Sequence, residues 1–265
     1  MGWGLRIALS AVVFATPGLR VFHAPFPEGF TRAQMIARVA YDANRANTEL
    51  KGTGQHVALS AAGYKAASAH AIVPCFGKGV QKNLEGFLFP SSYAFDVNTL
   101  GSNIVANQIS AFCAEWGKLD LTYARSKNLT PYDVLEIASM IEEEAAMPDD
   151  RPKIAAVIYN RLRLGIPLGI DATLRYGLKI PPDKSITEAE LQSNSPYNTR
   201  KFKGLPPTPI GNPGWLSLKA AAHPVKSGWL YYARVPNTNP PQQKFFESYS
   251  AYEAFLAANG YGPHP

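Results

Sequence analysis

Three glutamates stand side by side in a stretch that is otherwise apolar or small, and carboxyl groups are among the side chains that carry out acid–base catalysis. The stretch, residues 137–146, reads Ile-Ala-Ser-Met-Ile-Glu-Glu-Glu-Ala-Ala. A helix should begin shortly before it, because Thr130 is a favourable N-cap, Pro131 suits the first helical position and Asp133 can answer the cap. At about 100° per residue, one apolar face of that helix carries Val134, Ile137, Ala138, Ile141 and Ala145.

The three glutamates should differ in their exposure to water. Glu143 points away from the apolar face, whereas Glu142 and Glu144 lie on its two flanks, where a carboxyl is partly desolvated. Desolvation raises a carboxyl pKa toward the range that suits a general acid. A solvated acidic face on an ordinary helix would show the same three residues, so the cluster alone does not establish catalysis.

Composition limits the classes of protein. With 265 residues, 46% of them hydrophobic and 17% charged, the chain can bury a core and is neither disordered nor an ordinary multispan membrane protein. The net charge of +6 permits binding to an anionic polymer. The basic residues are scattered, however, and no nucleic-acid motif surrounds the densest cluster at 200–203, so no nucleic-acid partner is expected.

The N-terminus and the cysteines leave alternatives open. The apolar run at residues 7–15 is shorter than the roughly 20 residues that span a bilayer, and it fits a signal-peptide segment or a first strand. Cys75 and Cys113 could form a disulfide or remain two buried thiols. The histidines show no metal-ligand spacing, so we expect no metal site.

Local signals predict the first supporting elements. A short strand is expected at 19–22, followed by a helix that Thr31 and Gln34 begin with a capping box. A helix at 151–162 should be capped by Asp149 or Asp150 and ended by Gly165.

In the C-terminal part, a helix at 186–193 should begin with a capping box formed by Ser185 and Glu188. Residues 195–214 are rich in Pro, Gly and Asn without a period, which is typical of a binding loop. Paired strands are expected at 230–235 and 243–246. A last helix is expected from Ser250, boxed by Glu253, to Gly260.

Six segments in this order and at these spacings resemble the endolytic murein transglycosylases, the MltG or YceG-like family. They are residues 84–90, 151–162, 169–177, 195–200, 204–213 and 221–224. The resemblance covers roughly residues 20–258. Each segment is weak evidence alone, but six in register are specific.

The resemblance implies an α+β protein with three parts. Residues 1–18 would be an apolar N-terminal segment and residues 19–79 a partial, reduced LysM-like region. Residues 80–265 would form a YceG-like, helix-rich catalytic domain with short strands.

The resemblance also implies which residues act. The matched position of the catalytic acid is Glu144, with Glu142 in a supporting role, a choice that helical geometry alone does not make. The implied substrate-binding residues are polar and suited to sugar hydroxyl and N-acetyl groups: Glu85, Asn160, Asp171, Thr173, Tyr197, Asn198 and Thr199. Neither a metal nor an organic cofactor is implied.

The implied activity is internal cleavage of peptidoglycan between N-acetylmuramic acid and N-acetylglucosamine, leaving a 1,6-anhydro end, in cell-wall assembly. The implied location is the cell envelope, at the outer face of the inner membrane or in the periplasm, although the usual membrane anchor is absent or truncated here. Glycan strands, and peptidoglycan synthases (penicillin-binding proteins), are the implied partners. The alternatives are a non-catalytic wall-binding or scaffold protein of the same fold and an ordinary peptidoglycan glycoside hydrolase.

Overall fold

The structure is a computed structural model that describes residues 20–77 and 80–261. The secondary structure of the described residues is mainly helical with a few short strands, which is compatible with the predicted α+β class. The chain divides into two units, Met1–Ala114 and Glu115–Pro265. Residues 1–18, predicted to be an apolar N-terminal segment, lie outside the described residues.

The described residues of the first unit form short strands and three helices. Its elements are β1 (Phe22–Pro25), α1 (Arg32–Glu49), α2 (Ala61–Ala67), β2 (His70–Ile72), a 3-10 turn (Pro74–Phe76), β3 (Val80–Lys82), β4 (Ser92–Phe95) and α3 (Gly101–Trp116), the end of which belongs to the second unit. Strands β1 and β4 pair antiparallel, as do β2 and β3. The strand predicted at 19–22 therefore begins at Phe22, where its side chains start to alternate between buried and exposed.

The start of α1 follows the sequence signal. Thr31 caps the helix, and the Gln34 side chain accepts a hydrogen bond from the Thr31 backbone N–H at 2.7 Å. Met35 and Val39, one turn apart, are fully buried below it. The capping box predicted here is therefore confirmed.

A disulfide joins the 3-10 turn of the first unit to α3. Cys75 and Cys113 are bonded, with their Cα atoms 5.4 Å apart, and they are 38 positions apart in the sequence. The sequence left a disulfide and two free thiols as alternatives, and the structure has the disulfide.

The second unit is built around α5. Its elements are α4 (Thr122–Arg125), α5 (Pro131–Glu144), a 3-10 turn (Pro148–Asp150), α6 (Arg151–Leu164), α7 (Asp171–Leu178), α8 (Glu188–Leu191), α9 (Trp215–Ala222), β5 (Tyr231–Val235), β6 (Gln242–Phe246) and α10 (Tyr249–Ala258). Helix α5 packs against α6, α7 and α9. The segment at 195–214 has no helix or strand, as predicted.

Helix α5 is buried on more sides than its sequence suggests. Thr130 and Asp133 form the predicted capping box. Residues 134–141 are all buried, however, rather than a single apolar face. The reason is that several helices surround α5, so positions opposite the predicted face also lose contact with water.

Two of the predicted helix starts are wrong by two residues. Helix α8 is capped by Thr187 with Glu190, not by Ser185, and covers only Glu188–Leu191. Helix α10 begins at Tyr249 with Ser248 as its N-cap, not Ser250. Two capping boxes overlap before α8. Before α10 only Ser250 has a glutamate three residues later, yet Ser248 caps that helix.

The other elements agree more closely with the predictions. Gly165 ends α6 in the left-handed region, with φ of 64°, which a glycine adopts without strain. Asp150 is in the N-cap position of α6, but its side chain makes no capping hydrogen bond. Strands β5 and β6 pair as predicted, with Tyr232 opposite Phe245. Among the described residues, no helix is both long and apolar enough to cross a bilayer.

Candidate active site

Glu144 is the last residue of α5, and the chain becomes extended at Ala145. The Tyr232 hydroxyl donates to Glu144 Oε2 at 2.9 Å, and Gln243 Nε2 donates to the Glu144 backbone oxygen at 3.1 Å. Tyr232 lies in β5 and Gln243 in β6. The β5–β6 hairpin therefore holds both the side chain and the main chain of this residue.

The surroundings of Glu144 favour its protonated form. Burial is the main cause that raises the pKa of its carboxyl, and the nearby Asp171 raises it further, whereas the Tyr232 hydrogen bond and Arg200 lower it. The carboxyl forms no ion pair within the described part of the chain. Its place at the C-terminal end of a helix also disfavours a negative charge. A carboxyl with a raised pKa can deliver a proton near neutral pH.

Glu142 has the opposite environment. Its Oε1 accepts a hydrogen bond from Arg151 Nη2 at 2.9 Å, and its Oε2 accepts the Gly214 backbone N–H at 2.8 Å. Arg151 Nε also donates to Ser217 at 3.0 Å. Gly214 is the N-cap of α9, so the carboxylate lies where the dipole of that helix favours negative charge. Glu142 thus links α5 to α6 and α9.

The predicted exposures of the three glutamates are confirmed. Glu143 is exposed, and Glu142 and Glu144 are partly buried. Helix geometry explains this difference, because residues two positions apart point about 200° away from each other. The two flanks of the helix then meet different elements of the unit.

The predicted residues Asp171, Thr173 and Thr199 lie near the first turn of α7. Arg200 Nε donates to Asp171 Oδ1 at 2.6 Å, and the Asp171 side chain is 45% exposed. The Thr173 and Thr199 hydroxyls are 2.9 Å apart, and Thr199 also accepts the Ile170 backbone N–H at 3.0 Å. Both threonines are buried. They fix the start of α7, and with it the position of Asp171.

The side chains of the predicted residues Asn160, Tyr197 and Asn198 make hydrogen bonds within the second unit. Asn160 Nδ2 donates to the backbone oxygens of Ser227 and Trp229 at 3.0 and 2.9 Å. The buried Asn198 amide donates to the oxygens of residues 191 and 193 at 2.8 and 3.0 Å. The Tyr197 and Thr208 hydroxyls are 2.8 Å apart. These bonds shape the loops, and direct contact of the three residues with a glycan stays a prediction.

Glu85 lies in the first unit. Its side chain is buried, and Oε1 accepts the Arg32 backbone N–H at 2.8 Å, at the start of α1. A carboxylate there satisfies one of the N–H groups that a helix start leaves unpaired. This hydrogen bond gives Glu85 a structural role. Its role as a substrate ligand stays a prediction.

Sequence reasoning missed the residues that surround the two carboxyls. Tyr232 and Gln243 follow Glu144 by 88 and 99 positions. Arg200 and Arg151 lie in predicted segments, but the sequence does not indicate a role for either residue. The only signal was the alternation along the strand at 230–235, which could have placed Tyr232 and Tyr231 on opposite faces. In the described part of the chain, no cluster of three His, Cys, Asp or Glu residues is placed to hold a metal ion.

Comparison with known proteins gives consistent results. Residues 13–258 match the YceG-like family. Endolytic murein transglycosylases from Bacillus subtilis and Streptococcus pneumoniae are 39% and 31% identical over 166 and 218 residues, which are 61% and 78% of this chain. The matched parts are only 45% and 39% of those two relatives.

A solved structure is also similar. The crystal structure of a YceG-like protein from Listeria monocytogenes superposes with a TM-score of 0.66 at 28% identity. The match covers 88% of this chain and 75% of that one. The structural similarity therefore extends over most of both chains.

Proposed function

Because the chain belongs to the YceG-like family, we propose that it is a peptidoglycan lytic transglycosylase in which Glu144 is the catalytic acid. The observation that carries this proposal is the environment of Glu144, a partly buried carboxyl held by a neutral hydroxyl rather than a cation. Relatives that share 31–39% identity are named endolytic murein transglycosylases, and this supports the substrate class.

The proposed reaction breaks the bond between C1 of N-acetylmuramic acid and O4 of the next N-acetylglucosamine. Glu144 gives its proton to the leaving O4 as the C1–O4 bond breaks, and the neighbouring acetamido group stabilises the positive charge at C1. The C6 oxygen of the same muramoyl residue then bonds to C1, and its proton passes to the Glu144 carboxylate. The product is a 1,6-anhydro end, water is not consumed, and Glu144 is again protonated.

The environments of the other acids support this chemistry over ordinary hydrolysis. Most glycoside hydrolases use a second carboxylate, at about 5–5.5 Å as a nucleophile or about 6.5–9.5 Å as a base for water. Glu142 is committed to Arg151 and to the start of α9. Asp171 is ion-paired with Arg200 at 2.6 Å.

The same site argues against a purely binding or scaffold protein. Keeping a carboxyl partly buried without a cationic partner costs free energy, since the charged form is desolvated. A binding surface gains nothing from that cost, whereas a general acid requires it.

We further propose the domain arrangement and cellular context that the resemblance implies. Residues 19–79 would be a reduced LysM-like region, and the succession of strand β1 and the capped helix α1 supports this. Residues 80–265 would be the catalytic domain. The protein would act in the cell envelope, outside or at the outer face of the inner membrane, during cell-wall assembly. Its partners would be glycan strands and peptidoglycan synthases.

The test is mass analysis of the products formed from purified murein by the full chain in isotope-labelled water. We expect 1,6-anhydromuramoyl ends without label, each lighter by one water than a hydrolytic end. Labelled reducing ends would establish hydrolysis instead, with Asp171 as the next residue to substitute. Absence of any cleavage would favour the scaffold alternative.

A further inference from the structure

The two faces of the β5–β6 hairpin have separate tasks. Residues directly opposite each other share a face, so the register of Tyr232 with Phe245 and Arg234 with Gln243 places these four side chains on one side. On the other side, Ala233 and Phe246 form a small core with Leu256 of α10. One face therefore anchors the hairpin, and the other carries the groups that contact Glu144.

These contacts fix a residue that would otherwise be poorly held. The last carbonyl groups of a helix have no partner within the helix, and helix ends fray. Gln243 satisfies the carbonyl of Glu144, and Tyr232 holds its carboxyl from the neighbouring strand. The end of α5 is thus fixed by an element that is itself anchored on α10.

We propose that Tyr232 is a positioning residue for the acid: by donating to Oε2 of Glu144 it keeps the transferable proton on Oε1, and the β5–β6 hairpin sets the direction of that oxygen. This inference rests on the proposed function of Glu144. Among the described residues, no donor forms a hydrogen bond to Oε1 of Glu144, and this oxygen is not fully buried. It is the oxygen that remains for a substrate.

A tyrosine suits this task because its hydroxyl is a neutral donor. An arginine, such as the one beside Glu142, would hold the carboxyl in its charged form. Burial, together with the negative charge of Glu144, raises the pKa of Tyr232 well above its usual range, so the hydroxyl keeps its proton. The other charged groups that act on this pair are Asp171, Arg200 and Arg161.

The same hydrogen bond helps at both stages of the proton transfer. While Glu144 is protonated on Oε1, the hydroxyl donates to a neutral oxygen. After the proton leaves, it donates to a carboxylate, and such charge-assisted bonds are roughly twice as strong. Tyr232 therefore stabilises the charge that develops in the step without giving up its own proton.

The test is Tyr232→Phe, which removes the hydroxyl and keeps the ring. We expect kcat on murein to fall roughly 10- to 100-fold, the effect of losing one hydrogen bond to a charged group. Because that bond lowers the pKa of Glu144, the high-pH limb of the rate profile should move to higher pH. The matched control is Tyr231→Phe, on the opposite face, which should keep the wild-type rate and profile.

Three further measurements keep the result interpretable. Thermal unfolding shows whether each variant is folded, and Gln243→Met, which leaves the carboxyl contact intact, should lower kcat without moving the pH limb. NMR titration of the isotope-labelled Glu144 carboxyl should show a higher pKa in Tyr232→Phe than in the wild type, even if the variant has no turnover. A wild-type titration and a wild-type pH limb in Tyr232→Phe would overturn the inference. Cleavage by Glu144→Gln would overturn the proposed function instead.

Discussion

The two sides of the last turn of α5 carry chemically similar residues in contrasting environments. Glu142 is bound by a guanidinium and by the N–H at the start of α9. Glu144, two residues later, has one hydroxyl as its carboxyl partner and no cation among the described residues. A carboxylate with a charged partner stabilises the fold, whereas one with a neutral partner can still exchange a proton.

The contrast follows from where the helix places each side chain. A rotation of about 200° between the two residues directs Glu142 toward α6 and α9 and Glu144 toward the β5–β6 hairpin. The first neighbours offer an arginine and a helix start, and the second offers a tyrosine and an amide. The surrounding elements, rather than the residue type, assign the roles.

The largest expected effect comes from removing the acid. Glu144→Gln keeps the size of the side chain and the contact with Tyr232 but cannot deliver a proton. Loss of a general acid costs about 10² to 10⁴ in rate. Cleavage of purified murein should therefore fall by at least that factor, with the thermal unfolding midpoint close to that of the wild type.

The matched control is Glu143→Gln, one residue away on the exposed side of the same turn. It makes the same replacement of a carboxyl by an amide and should leave the rate almost unchanged. If Glu144→Gln cleaves murein at a rate similar to that of Glu143→Gln, Glu144 is not the acid and Glu142 is the next candidate.

The next largest effect is expected in stability rather than rate. Glu142→Gln leaves Arg151 without its charged partner, and the two side chains are only 7% and 11% exposed. Removing one partner of such a buried pair costs about 3–5 kcal/mol. Urea unfolding should show this loss, while the folded variant still produces anhydro ends at low temperature. Unchanged stability with abolished cleavage would instead give Glu142 a direct catalytic role.

What the sequence predicted well was local. The capping box of α5 and the exposure of its three glutamates depend only on residues within a few positions of each other, and both are confirmed. The paired strands at the C-terminus were also predicted correctly, because alternation and turn residues are local signals.

What it could not predict depends on distant residues or on equivalent local choices. The contact of Tyr232 with Glu144 joins positions 88 apart, and nothing near either residue indicates it. The predicted start of α8 was wrong because two capping boxes overlap there. The predicted start of α10 was wrong because Ser248 caps the helix although only Ser250 has a glutamate three residues later. The burial of α5 on several sides depends on how α6, α7 and α9 assemble, which periodicity within α5 does not encode.

A third glutamate of α5 extends the comparison. Glu136 is 4% exposed, and burial, helped by the charge of Asp133, raises the pKa of its carboxyl to about 8 from its ordinary value of 4.5. Unlike Glu142 it has no ion pair among the described residues. Glu136 should therefore be neutral in the folded protein at pH 7, and ionised in the unfolded chain.

Measured per pH unit, the smallest expected effect is the pH dependence that this difference produces. Because the pKa of Glu136 is raised in the folded state, the contribution of its protonated carboxyl to the stability of the fold is fully present below about pH 4.5. This contribution is lost as the pH rises toward 8. Between these values Glu136 should contribute a slope of about 1.4 kcal/mol per pH unit, with stability falling as pH rises. Glu136→Gln cannot ionise, so urea unfolding at a series of pH values should give a flatter curve than the wild type. Glu143→Gln, on the exposed side of the helix, should keep the wild-type slope. Parallel curves for Glu136→Gln and the wild type would mean that Glu136 titrates alike in both states, and that burial within α5 does not by itself keep a carboxyl neutral.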